Sequence, residues 1–224
     1  MISIKPTVTL SISDEIAATA ATTDSAGNIW IAGAGLSPTA VPSPTPTVAA
    51  LNPNNVQIET PTVLPALTSL VILKYSKSGA LLQSYSNIIR YVVYPTEITV
   101  KANKVTIRGR ISTGKGDGFE VGMSTTGNFS NVLPYTLKIK DPDLYQVQTK
   151  LSLWKSFTTS SVIKGISWKP TKATRVLIRT DLKNKAIVAG YVMSGDLLSL
   201  SWIESIGIII FRHDQSGYNL TILK

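Results

Sequence analysis

Apolar and polar positions alternate, or apolar positions run unbroken, along most of the chain, and no stretch shows convincing amphipathic helical spacing. Residues 7–12 (VTLSIS), 97–102 (EITVKA) and 104–112 (KVTIRGRIS) alternate. Alternation with period two puts the two sets of side chains on opposite faces of a sheet. In the last of these Val105 and Ile107, with Gly109 in the same register, share one face. Thr106, Arg108 and Arg110 share the other. Residues 69–76 (SLVILKYS), 80–86 (ALLQSYS), 87–94 (NIIRYVVY), 119–125, 132–140, 144–154, 175–180, 186–192, 197–202, 207–213 and 218–224 are short runs rich in β-branched and aromatic residues, the types that fit a pleated surface. Residues 16–22 (IAATAAT) fit helix or strand. The pattern predicts an all-β fold. Its one long interruption is residues 36–66, with seven prolines. Proline neither donates to a ladder nor continues a helix, so this stretch is expected to be an extended insertion with polyproline character.

The strand pattern repeats. A polar turn, an apolar strand and a glycine occur as GNIWIAG (27–33), NKVTIRG (103–109) and NKAIVAG (184–190). A second motif, apolar then a polar turn ending in glycine, occurs as VILKYSKSG (71–79), FEVGMSTTG (119–127) and IIFRHDQSG (209–217). With one strand before and one after, each unit has four antiparallel strands. The gap between the two motifs varies, as loops on one face of a repeat do. Tandem four-stranded units predict one β-propeller-like domain over 1–224, with a β-sandwich as the alternative. Three units are too few to close a propeller. A degenerate fourth blade in 130–172 is the preferred expectation, ahead of a ring shared between chains or an open array. On Asp24, Gly27, Asn28, Gly33, Lys74, Tyr75 and Gly79, residues 22–86 resemble the bacterial SBBP-type β-propeller repeat. That resemblance implies a propeller and a scaffold role without a catalytic site.

Composition narrows the function classes. Charged residues make up only 16% of the chain and cysteine is absent, which removes disulfides and thiolate metal sites. No 18-residue apolar run predicts a membrane span, and residues 1–15 do not read as a secretory signal. Charge is uneven. Residues 1–60 hold one lysine against four acidic residues, a net −3, and residues 61–224 hold 21 basic against nine acidic residues, a net +12. That asymmetry suits an anionic partner such as an acidic glycan or an acidic subunit. Nucleic acid is disfavoured, because Lys101, Lys104, Arg108 and Arg110 have no interleaved aromatic residues to stack bases.

Candidate chemistry is sparse. His213 and Asp214 are neighbours on a strand and so point to opposite faces. GKGDG (114–118) lacks the spacing of a phosphate loop, and DPD (141–143) reads as a turn. No metal or cofactor is expected. Trp30 and Trp202, with Arg108 and Arg110, are the candidate binding residues, and Pro42, Pro44 and Pro46 the candidate subunit contacts. The expectation is a non-enzymatic assembly protein. It would be a component of a virion (phage tail or capsid surface) or other extracellular particle, or else cytoplasmic, and homo-oligomeric or part of a larger assembly. A carbohydrate-binding propeller is the alternative, and a propeller glycoside hydrolase the second.

Overall fold

A computed structural model of the chain describes residues 1–37, 66–89, 91–112, 118–136 and 145–224. The structure is all-β, and its seventeen described strands form four sheets. Two short strands open the chain, β1 (Ile2–Ser3) and β2 (Val8–Leu10). Sheet one follows as β3 (Ile16–Thr23), β4 (Ile29–Ser37), β5 (Ala66–Tyr75) and β6 (Leu81–Ile88). Sheet two is β7 (Val93–Lys101), β8 (Lys104–Ile111), β9 (Phe119–Ser124) and β10 (Leu133–Pro134). Sheet three is β11 (Tyr145–Gln148), β12 (Ser152–Thr159), β13 (Thr174–Asp181) and β14 (Ile187–Met193). Sheet four is β15 (Asp196–Ile203), β16 (Gly207–Asp214) and β17 (Gly217–Leu223). Within each sheet these strands lie side by side in chain order and antiparallel. The chain start completes two of the sheets: β1 adds to β14 in parallel, and β2 adds to β17 antiparallel.

The architecture is propeller-like, and the first strands of the sheets stand together at its centre. β3 packs against β7 on one side and against β15 on the other, and β11 packs against β15. The sheets therefore follow one another in space as two, one, four, three. Among the described residues β7 and β11 make at most marginal contact, so the contacts between first strands trace a fan in that order.

Side-chain patterning follows from that order. Sheets one and four are covered on both faces. Trp30, Ala32, Leu70 and Ile72 pack with Ile98, Val105, Ile107 and Phe119 of sheet two. The intervening Ile29, Ile31, Val71, Leu73 and Tyr75 pack with Ile209, Phe211 and Leu220 of sheet four. Ile208 and Ile210 then face Trp154, Leu177 and Met193 of sheet three. Strands buried on both faces read as unbroken apolar runs, hence IWIAGAG, LVIL and GIIIF. Sheets two and three end the fan, and β8, β9 and β12 alternate buried with partly exposed positions.

The repeat survives at the level of backbone geometry. In β3, β7 and β15 the register shifts, between Ala18 and Ala20, between Pro95 and Glu97, and between Leu197 and Ser199. One extra residue in the first strand bends it and re-aims its neighbours. Across from these bulges sit Gly33 and Gly109. A Cβ on Gly109 would lie 2.3 Å from the Tyr94 carbonyl oxygen and 2.7 Å from the Pro95 Cα. One on Gly33 would lie 2.8 Å from the Ala17 oxygen. At the same place in sheet four, opposite Leu197, stands Arg212.

Two expectations are corrected here. The segments taken as unit three belong to different sheets. RVLIRT and NKAIVAG are β13 and β14 of sheet three, while residues 207–223 belong to sheet four. Gly190 therefore lies in a fourth strand and does not correspond to Gly33 and Gly109. The stretch 130–172 supplies β10 to sheet two and β11 and β12 to sheet three rather than a blade of its own. Residues 162–168 form no strand; the Ile166 side chain there lies against Gly190. A short repeat unit is hard to phase from sequence when its motifs are turn chemistry, because any hairpin can use the same turn.

Candidate interaction surfaces

The turn that follows β3 is built by Asp24. Its Oδ1 accepts from the backbone N–H of Ala26 (3.0 Å) and Asn28 (2.9 Å). Its Oδ2 accepts from Asn28 Nδ2 (2.9 Å) and from Trp30 Nε1 (3.0 Å). Partial burial alone would raise this carboxyl, but the bonds from Trp30 and Asn28 outweigh it, and the group titrates below its usual 3.8. Gly27 closes the turn at φ 83°. The Asp-x-x-Gly-Asn motif is thus architectural. Ser76 and Ser124 build the same turn in sheets one and two. Each Oγ accepts from the residue after the glycine, Ala80 N or Asn128 N, at 3.1 Å.

The candidate binding residues are not brought together. Trp30 is fully buried, stacked 6.4 Å from Tyr85 and with Lys74 Nζ 4.9 Å from its ring. It has no exposed face for a ligand. Arg108 lies on the outer face of sheet two, held by Glu120 (2.6 Å) and Glu97 (3.6 Å), and its guanidinium sits 4.7 Å from the Tyr135 ring. The hydrogen bond to Glu120, opposed by partial burial and aided by Glu97, raises its affinity for the proton. Its charge is matched by carboxylates, so a basic stripe does not form around it. Arg110 is exposed. Trp202 is half-buried and lines a cleft between sheets three and four. Pro42, Pro44 and Pro46 lie outside the described residues, as does all of GKGDG except Gly118, and DPD. His213 is exposed and tilted 4.6 Å from the Tyr218 ring. Asp214 is engaged instead by Ser216, Ser194 and Arg212, and Ser216 foremost lowers its pKa.

The most distinctive surface is one the sequence pattern does not flag, the edge of sheet one. β6 pairs with β5 on one side and ends the sheet on the other among the described residues. Its eight residues, Leu-Leu-Gln-Ser-Tyr-Ser-Asn-Ile, include no charge and no proline. Leu82 is 50% exposed and Ile88 67%, and Leu81 is exposed too. Tyr85 is tied inward, its hydroxyl placed to donate to Gln83 Oε1 at 2.5 Å or to the Thr125 carbonyl at 3.1 Å. Burial raises that phenol above its usual 10, keeping it a donor. The other outer edges are short. Sheet two ends on the two-residue β10 with Pro134, and sheets three and four end on β1 and β2, two and three residues long. Natural sheets blunt their edges with short strands, charge and proline; β6 has none of these. A clue available in the sequence is the absence of any charged residue from Gly79 to Ile89.

Among the described residues no helix is long and apolar enough to cross a membrane. No protein-family model matches the chain, and no curated protein matches it.

Proposed function

We propose that the protein is a non-catalytic assembly subunit that pairs with a second copy of itself along β6. The observation that carries this reading is the contrast between β6 and the other outer edges among the described residues: a long, uncharged strand with exposed Leu81, Leu82 and Ile88 beside edges of two or three residues. An exposed edge offers a row of backbone donors and acceptors to another strand. Two copies of β6 can meet about a two-fold axis, each presenting the same surface. Because the strand is neutral, this contact brings no like charges together despite the chain's net +9. A particle built from repeated copies, as the composition leads one to expect of a virion component, is one setting for such a subunit.

Light scattering tests it. The expected mass is about twice the 24.1 kDa of one chain, and Leu82→Lys should return the protein to one chain. Leu82 is already half exposed, so the lysine should change stability by no more than about 0.5 kcal/mol. A wild type that stays at one chain, or a dimer indifferent to Leu82→Lys and Ile88→Lys, would rule the reading out.

A further inference from the structure

A second site lies away from β6, at the turn ends of sheets three and four. The β11–β12 turn and the β15–β16 turn flank a cleft of about 470 Å³, within the size range of small-ligand sites. Trp202 and Arg179 both line it. We propose that this cleft binds a carboxylate-bearing sugar, such as a uronate unit of an acidic glycan.

Three features of the cleft carry the proposal. The first is an available aromatic ring. Trp202 is half-buried, whereas Trp154 beneath it is 4% exposed and stacked on Tyr191 at 6.0 Å. A partly exposed indole lining a cleft suits the apolar C–H face of a pyranose. The second is an oriented guanidinium. Arg179 Nε–H donates to Ser152 Oγ at 2.9 Å, and its guanidinium carbon sits 5.6 Å from the Trp154 ring centroid. Those two contacts set the plane of the group before any ligand arrives, which lowers the ordering cost of binding. A planar fork of donors matches a carboxylate better than a point charge does. The third is the sign of the charge. Among the described residues, the charged side chains lining the cleft are Lys150, Arg179, Lys224 and Glu204, and Glu204 is paired with Lys150. That pair bridges the two turns and leaves the remaining lining side-chain charge, Arg179 and Lys224, positive. The net +12 of residues 61–224 acts in the same direction at longer range.

The sugar ring would lie against Trp202 with its carboxylate toward Arg179. A neutral sugar would keep the stacking and lose the ion pair. A sulfated or phosphorylated chain would keep the charge without the planar match.

The test is titration of the full chain, followed by tryptophan fluorescence and calorimetry at 0.15 M salt. The probes are a galacturonate trisaccharide, its neutral galactose counterpart, dextran sulfate (sulfate without carboxylate) and oligothymidylate. The galacturonate trisaccharide should bind at least about tenfold more tightly than the neutral one. Arg179→Gln should remove that preference, and Arg179→Lys should restore only part of it. Trp202→Ala should weaken both sugars by about tenfold. Melting curves of each variant verify that it folds, and the fluorescence change on binding should vanish in Trp202→Phe while calorimetric binding persists. Equal affinity for the charged and neutral trisaccharides, no binding of either, or binding indifferent to Trp202→Ala would overturn the proposal. So would tighter binding of dextran sulfate or oligothymidylate than of galacturonate.

Discussion

Gly109 shows how one residue records the repeat. It faces a bulge in the neighbouring strand, and a methyl group there would meet backbone atoms of Tyr94 and Pro95 rather than the end of a flexible side chain. Gly109→Ala should therefore cost about 2–3 kcal/mol, in the range of overpacked cores. Gly190→Ala should cost clearly less, because its nearest neighbours are the ends of the flexible Ile166 and Met1 side chains. Urea unfolding of the two variants makes the comparison. The glycine spacing in the sequence signalled both positions alike. It could not show that Gly33 and Gly109 sit opposite bulges while Gly190 does not, since a bulge is a property of two paired strands. Asp24 was legible as turn chemistry, but its bond to Trp30 was not. That bond explains why the tryptophan closest to the repeat motif is a core residue and not a ligand platform. Asp24→Ala leaves the Trp30 N–H without its acceptor and should cost about 2 kcal/mol at pH 7. Because folding lowers this carboxyl's pKa, the stabilisation is fully present above the usual 3.8 and is lost as pH falls through the lower folded value. The stability gap between wild type and Asp24→Ala should be level from about pH 5 to 7 and narrow below about pH 4. A gap that widens on acidification would contradict the assignment.

Strands were readable from period-two alternation and apolar runs, and most fall where the pattern puts them, but 87–94 spans the end of β6 and the start of β7, 144–154 divides at a turn into β11 and β12, and of 132–140 only Leu133–Pro134 is strand among the described residues. The grouping of strands into sheets was readable only for the first two units. There, hairpins with Ser-x-x-Gly turns at 76–79 and 124–127 occupy matching places. In the second half the Asp-x-x-Gly turn at 214–217 joins a different pair of strands, and phasing by turn type misassigned β13 and β14. The closing role of the chain start was invisible locally, because β1 and β2 are two and three residues long and pair with strands about 190 to 210 positions away. That clasp has several fastenings. Ile4 N donates to Val192 O, Thr7 N to Leu220 O, and Thr9 Oγ1 to Asn219 Oδ1. Arg212, 2% exposed and standing where sheets one and two have glycine, donates to the carbonyl of Ser194 at 2.9 Å and reaches that of Ile4 at 3.5 Å. Leu10 is the clasp's apolar anchor, 2% exposed against Phe211 and Leu220. Leu10→Ala should cost about 3 kcal/mol. Hydrogen exchange should accelerate first in β17, whose outer edge β2 covers, and later in β4 and β5. Uniform acceleration across all sheets would mean that the clasp and the body unfold as one unit.

At the scale of the whole molecule, the fan order two, one, four, three explains why the unbroken apolar runs concentrate in sheets one and four. Those sheets have neighbours on both faces. It also leaves each outer edge to be managed separately. Three are short, two of them formed by the chain start, and β6 is left long and neutral. The account therefore stands or falls on β6 pairing with its own copy. The chain contains no cysteine, so single cysteines placed on β6 report that pairing without background. In an antiparallel two-fold pairing, residues near the middle of the strand face their own copies. Under mild oxidation Ser84→Cys or Ser86→Cys should form a cross-linked product of twice the chain mass much faster than Ser161→Cys, on an exposed loop after β12. Cross-linking at Ser84 and Ser86 no faster than at Ser161 would contradict the central claim.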